Sequence, residues 1–288
     1  MQAIIFALIA FIGWGTGDVF GGIVSRKIGG YSSTFWLYAY SLFVSSLFIP
    51  FAIGQLHNVT LNVVLLLFFL NIIGTIPVIS LYEGIRVGNA SLVGTIAGAF
   101  AAITVILSTV FLGDSLSLPQ AFSIIIIFIG LVLSSLNLKT FKAKQLFSDK
   151  GVPYALLAMV LWGVYFTLLR IPSRQIGWFW SSYLTIFAVI PLYIFMKIRK
   201  IALKFPRGKN VITSSLLNSL MLSVAYYAYN FSITKGQTAI VTPIAGSYPV
   251  LFVLVAHVVF KDPLKKQQIL GIVVNLVGIV LLAVFSSG

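Results

Sequence analysis

The chain has 288 residues, 59% of them hydrophobic and 8% charged, with a mean hydropathy of +1.07 and a formal net charge of +14. So few polar side chains cannot coat a water-soluble globule of this length, which places the chain in a membrane. The absence of cysteine excludes disulfides and thiolate metal sites, and the basic residues fall in short breaks between apolar runs, which argues against nucleic acid as a partner.

Apolar runs long enough to cross hydrocarbon as helices recur along the whole chain. Ten spans are predicted, near 3–23, 32–54, 62–84, 89–112, 118–136, 152–172, 178–197, 211–234, 238–260 and 266–285. No positively charged stretch precedes the first run, so it reads as a span and not as a cleaved signal peptide. Of the 19 Lys and Arg residues, 16 lie after odd-numbered spans, and only Arg170, Arg174 and Lys235 lie after even-numbered ones. Under the positive-inside rule, both termini are expected outside a cell membrane.

The first span contains Gly13-Trp-Gly-Thr-Gly-Asp-Val-Phe-Gly-Gly22, which carries five glycines and a carboxylate. Gly13, Gly17 and Gly21 give one helical face close backbone approach, and Asp18 sits near the midplane. A charge there costs roughly 2.5–3.5 kcal/mol on insertion scales, so it should face a cavity or a partner. Asp18 therefore binds a cationic group or a coupling proton, or else makes a structural hydrogen bond to a hydroxyl of span 3 or span 8. Gly15-Thr-Gly-Asp18 also fits the Gly-x-Gly-Asp pattern of intramembrane aspartyl proteases, but that chemistry needs a second membrane carboxylate. Asp114 and Asp149 fall in loops, as does Asp262, and Glu83 lies one turn from Arg86 near a span end. No metal, cofactor or nucleotide motif occurs, and enzymatic activity is not expected.

Spans 3 and 8 carry polar residues along one face: Asn71, Thr75 and Tyr82 in the first, Ser219, Ser223, Tyr226 and Asn230 in the second. Lipid penalises such stripes, so they face either a polar path or a hydrogen-bonded seam between helices. In span 4, Gly94, Gly98 and Ala102 form a small-residue ridge. In span 9, Pro243 and Pro249 flank Gly246 and free backbone carbonyls, making Ser247 and Tyr248 candidate ligand contacts. Trp14 and Trp162 sit at midplane depth, in dense packing or in pocket walls. Asp114 and Asp262 read as N-caps of the spans that follow them, Arg170 and Arg174 as snorkelling cations, Glu83 as an interfacial partner of Arg86, and His257 as a packed histidine or a proton relay. Asn58-Val-Thr60 fits a glycosylation pattern in a loop too short to support it.

One self-alignment offset, 148 residues, holds without gaps. It pairs Trp14-Gly15 with Trp162-Gly163, Ser25-Arg26 with Ser173-Arg174, Ile96-Ala97-Gly98 with Ile244-Ala245-Gly246, Asp114 with Asp262, Gln120 with Gln268 and Gly130 with Gly278. Each unit holds five spans, an odd number, so the second must enter the membrane from the opposite side: an all-α integral membrane protein of two five-helix inverted repeats. The expected division is a first repeat at 1–138, a basic cytoplasmic linker at 139–151 and a second repeat at 152–288. Inverted repeats favour a site at the midplane between the halves.

Ala10-Phe-Ile-Gly-Trp-Gly15 and Ala158-Met-Val-Leu-Trp-Gly163, with Phe111-Leu-Gly-Asp-Ser-Leu116 and Phe260-Lys-Asp-Pro-Leu264 leading to their Gln and Gly partners, resemble the drug/metabolite transporter superfamily, of the ten-span EamA type. The resemblance implies a secondary carrier of amino acids, sugars, other metabolites or drugs, with a central cavity lined by helices other than the fifth and tenth. Asp114 stands where that family usually has glutamate, and the charge pattern favours outward termini where several relatives are drawn with cytoplasmic ones.

The expected function is alternating-access transport of a small solute. Its expected contacts are Trp14, Asp18, Asn71, Thr75, Trp162, Tyr165, Ser219, Tyr226, Asn230, Ser247 and Tyr248, with Asp18, Glu83 and His257 as coupling candidates. The alternatives are an aspartyl-protease-type enzyme and a non-transporting or lipid-handling subunit. The sequence leaves the oligomeric state open, a homodimer included.

Overall fold

The computed structural model describes residues 1–54, 59–135, 148–260 and 264–286. Asn58, Lys139, Lys142, Lys144, Lys261 and the expected N-cap Asp262 lie outside the described residues. Among those described, every regular element is an α-helix. The first half contains α1 (Gln2–Ile28), α2 (Gly30–Ser46), α3 (Ile49–Ala52), α4 (Leu61–Val87), α5 (Ala90–Gly98), α6 (Phe100–Phe111) and α7 (Leu118–Ser135). The second contains α8 (Val152–Leu168), α9 (Arg170–Gln175), α10 (Gly177–Ile186), α11 (Val189–Ile198), α12 (Lys209–Lys235), α13 (Thr238–Gly246), α14 (Tyr248–Phe260) and α15 (Lys266–Phe285).

Several spans are two helices in line, and proline explains most of the breaks. A proline cannot donate to the carbonyl four residues earlier. Pro50, Pro172, Pro191 and Pro249 withdraw the donors to Ser46, Leu168, Phe187 and Ala245, and helices end at Ser46, Leu168, Ile186 and Gly246. The fourth span breaks at Ala99 without a proline, at the repeat equivalent of Ser247. Nine segments among the described residues are long and apolar enough to cross a membrane. The second span is cut to 17 residues by its break before Pro50, shorter than the predicted 32–54.

The halves are interleaved. Helix α1 packs most extensively on α12 and also on α13 and α14, while α8 packs on α4, α5 and α6. Each half thus presents its first span to the third and fourth spans of the other. The glycine face of α1 makes this approach possible: a Cβ on Gly13 would lie 2.7 Å from the Met221 carbonyl oxygen, and one on Gly17 would lie 2.1 Å from Cδ1 of Leu222. In the ridge of span 4, a Cβ on Gly98 would lie 2.6 Å from Pro249, whereas one on Gly94 would meet nothing within 4 Å, so close packing does not require a glycine at that position.

Helices α7 and α15 form the outer pair. There, a Cβ on Gly130 would meet the Asn275 backbone nitrogen at 2.3 Å, and one on Gly278 would meet that of Ile127 at 2.8 Å. These two contacts exchange under the 148-residue offset, as expected for an inverted repeat.

Candidate functional site

Two small chambers lie inside the bundle. The first, about 40 Å³, is bounded by α2, α4, α8, α10 and α12. Repeat-equivalent pairs line it: Leu37 with Thr185, Tyr38 with Ile186, Gly74 with Leu222 and Thr75 with Ser223. Asn71, Tyr165, Tyr226 and Tyr227 complete its polar wall. The second, about 20 Å³, lies between α1, α4, α6, α8, α12 and α14. Its walls are also matched pairs: Trp14 with Trp162, Asp18 with Phe166, Val78 with Tyr226 and Phe100 with Tyr248. A residue and its mate can line one space only near the axis that relates the halves, so both chambers sit on the pseudo-two-fold. Leu222 and Tyr226 belong to both and form the partition. The fifth and tenth spans line neither.

Since a water needs roughly 10–15 Å³, the chambers have room for a few waters and not for a metabolite. A hydrogen bond ties each end of the fourth span to a distant part of the chain. At its start, the Asn89 amide donates to Asp149 at 2.9 Å. Beyond its end, the Ser115 amide donates to the side chain of Gln237, the repeat mate of Asn89, at 3.1 Å.

Asp18 is the carboxylate of the second chamber and is 5% exposed. The Tyr82 hydroxyl lies 3.3 Å from its Oδ1 and 3.1 Å from Oδ1 of Asn218. That hydroxyl has one proton for two acceptors. A proton on Asp18 would supply the missing donor, leaving Tyr82 to satisfy Asn218. Aromatic rings surround the chamber, with Trp14 5.2 Å from Phe166, 5.6 Å from Tyr226 and 6.1 Å from Tyr248 between centroids.

Residues lining each chamber also carry buried polar atoms with no partner among the described residues: Asn71 Oδ1 in the first, Trp162 Nε1 and the Tyr248 hydroxyl in the second. Buried polar groups are nearly always satisfied, so these three are available to a solute or water, as are the similar atoms of Ser33, Thr34, Ser45, Arg170, Thr238 and Asn275 away from the chambers.

Trp14, Asp18, Asn71, Thr75, Trp162, Tyr165, Tyr226 and Tyr248 are therefore brought to the chambers. Three expected contacts are not, and their side chains are engaged within their own helix or by a neighbouring one. Ser219 donates to the Ser215 carbonyl at 2.9 Å, while its own carbonyl accepts from Ser41. Asn230 accepts from Ser173 at 3.2 Å and donates to Ser182. Ser247 donates to the Pro243 carbonyl at 2.8 Å and accepts from Asn275.

The coupling candidates other than Asp18 also lie elsewhere. Glu83 pairs with Arg86 at 2.6 Å, as expected, and also accepts the Gly30 amide at the start of α2. His257 is in α14 and lines neither chamber.

Two charged residues correct the reading from sequence. Asp114 does not cap the span that follows it; its Oδ2 accepts the Ala239 amide at the start of α13, in the other half, at 2.9 Å. Arg170 does not snorkel: it is buried, and its Nη1 meets Asp114 Oδ1 at 2.5 Å. Arg174 turns to the carbonyls of Ile233 and Gly236. Tyr38, Tyr82, Phe100, Phe166 and Tyr227 were not among the expected contacts. For Phe100 and Phe166 the signal was available, since the offset maps them onto Tyr248 and Asp18.

Ten spans in two inverted repeats around an axial, partly polar interior define a polytopic membrane protein. A model of the EamA-like transporter family matches residues 1–136 and again 149–284, the second match starting 148 residues after the first (149 against 1), and the chain belongs to that family. A protein of Methanocaldococcus jannaschii, described only as uncharacterized, is 29% identical over 137 residues, which is 98% of that protein and 47% of this chain. One crystal structure superposes with a TM-score of 0.80 over 99% of this chain and 97% of its own, at 13% identity, a likeness of fold alone.

Proposed function

We propose that this EamA-family membrane transporter works by alternating access as a secondary carrier of a small solute, held on the pseudo-two-fold axis in the two chambers. The observation that carries this reading is that both chambers are walled by repeat-equivalent residues while a hydrogen bond ties each end of the fourth span to a distant part of the chain. A site on the axis is equally related to both membrane faces, so near-equivalent rocking of the halves opens it to either one. The solute enters by widening the chambers, engaging Asn71, Trp162 and Tyr248.

Asp18 is the element that breaks the symmetry, opposite Phe166. A carboxylate ringed by Trp14, Phe100, Trp162, Phe166 and Tyr248 suits an amine-bearing solute or a proton, a cation being stabilised by both the charge and the ring faces. Solute and coupling proton would then compete for Asp18. An aspartyl-protease reading requires a second carboxylate at Asp18, and none lines the chamber among the described residues. The lysine and arginine asymmetry supports termini outside the cell membrane.

Uptake and efflux in reconstituted vesicles, screened with amino acids, sugars and organic cations under imposed proton and sodium gradients, test the reading. Asp18→Asn is expected to insert normally and to lose cation transport and its response to a pH gradient. Unchanged transport and pH response would refute the role of Asp18, and a chain that moves none of the panel in either direction would refute the carrier.

A further inference from the structure

Away from the chambers, a groove of about 460 Å³ opens where the end of α1 meets the loop joining α11 to α12. Lys27, Lys204 and Arg207 line it together with Ile28, Phe205 and Val211. Residues 199–209 contain Arg199, Lys200, Lys204, Arg207 and Lys209 and no acid. The loop is pinned to the body. The Trp36 indole donates to the Lys204 carbonyl at 3.0 Å, the Lys204 amide donates to the Ser32 hydroxyl at 3.0 Å, and the Trp36 and Phe205 rings lie 5.1 Å apart.

Arg207 and Lys209 also flank Gly208 at the start of α12, a helix with no side-chain cap and no acid in its first turn. Cations at the positive end of a helix repel its dipole, whereas an anion placed there is attracted by amides and side chains together. Glu83, across the junction of α1 and α2, is already held by Arg86 and the Gly30 amide. Among the described residues, no carboxylate forms an ion pair with Lys27, Lys204 or Arg207.

We propose that this groove binds the headgroup of an anionic phospholipid, the phosphate between Lys27, Lys204 and Arg207 and the glycerol and upper acyl chain against Ile28, Phe205 and Val211. The apolar wall favours a lipid over free phosphate, because a free anion has no use for it. Phe205 is 58% exposed beside the cations, an arrangement suited to the interface between headgroups and hydrocarbon.

The test is native mass spectrometry of the detergent-purified chain equilibrated with equal amounts of dioleoyl phosphatidylglycerol and dioleoyl phosphatidylcholine. Wild type is expected to retain phosphatidylglycerol preferentially. K27Q/K204Q/R207Q should lose most of that preference, at about fivefold per cation, while K197Q/R199Q/K200Q, at the same end but outside the groove, keeps it. K27R/K204R/R207K should retain it too, and if the triple Gln variant fails to fold, the three single Gln variants read the same loss in part. An unchanged preference in the groove variants would overturn the proposal. So would an equal fall in the K197Q/R199Q/K200Q control, which would mean a diffuse field, or displacement of the lipid by millimolar sodium phosphate, which would mean a site for free anions.

Discussion

Replacing Arg170 with Gln removes the cation but leaves Asp114 where it is, its side chain 1% exposed, with the Ala239 amide as its remaining partner. Breaking one side of a buried ion pair costs on the order of 3–5 kcal/mol, most of it the penalty of an uncompensated charge, whereas removing both charges costs much less. Arg170→Gln should therefore lower thermal unfolding in detergent far more than the double variant Asp114→Asn, Arg170→Gln. The cycle coupling should be about 2 kcal/mol or more, because the two residues share a direct contact. Since the pair joins the end of α8's span to the loop after α6, it also ties the halves together at one end of the bundle. Arg170→Gln should accordingly raise the reactivity of a cysteine introduced at Ser117, near that end, relative to one at Ala90, near the other. The assay is a fluorescence-detected melt of the four proteins, followed by maleimide labelling. A single variant that melts with wild type, or a coupling near zero, would refute the ion pair and its role in holding that end shut.

Tyr248→Phe removes a hydroxyl that has no partner among the described residues. It should leave unfolding temperature unchanged or raised, while weakening solute binding by about fivefold or more; a lower melting temperature with unaltered affinity would contradict a ligand role. Tyr82→Phe withdraws the proton shared between Asp18 and Asn218. Solute affinity or pH response should change without loss of folded protein, and an identical pH profile would speak against the link. Gly130→Ala places a methyl 2.3 Å from the backbone of Asn275. It should destabilise the α7–α15 pair by roughly 1–3 kcal/mol, whereas Gly94→Ala, with open space around it, should be neutral or gain up to about 1 kcal/mol; equal effects in a melt would refute the contact assignment.

The fold was readable because two sequence signals survive the low complexity of membrane helices: run length and the spacing of rare residues. Trp14 and Trp162, or Gly130 and Gly278, repeat because each occupies a crowded position near the axis or in an outer helix pair. The cavity was only partly readable. A polar stripe states that a face avoids lipid, but a chamber and a helix seam satisfy that condition alike; Asn71 lines the chamber, whereas Asn230 bonds Ser173 and Ser182. Asp114 was misread because capping is a local pattern, while its partners, Arg170 and Ala239, are 56 and 125 residues away in sequence. The unpartnered Trp162 and Tyr248 groups carry no sequence signature at all, since their condition depends on what four other helices fail to supply.

Absence of cysteine makes the chain ready for site-directed labelling. Spin-label distances across the halves, between Ala90 and Tyr154 at one end and between Ser117 and Lys235 at the other, test the alternating-access claim most directly. In membranes, adding transported solute or a proton gradient should lengthen one distance while the other shortens or holds. If both distances stay fixed, or both grow together, two inverted halves rocking about an axial site is the wrong description.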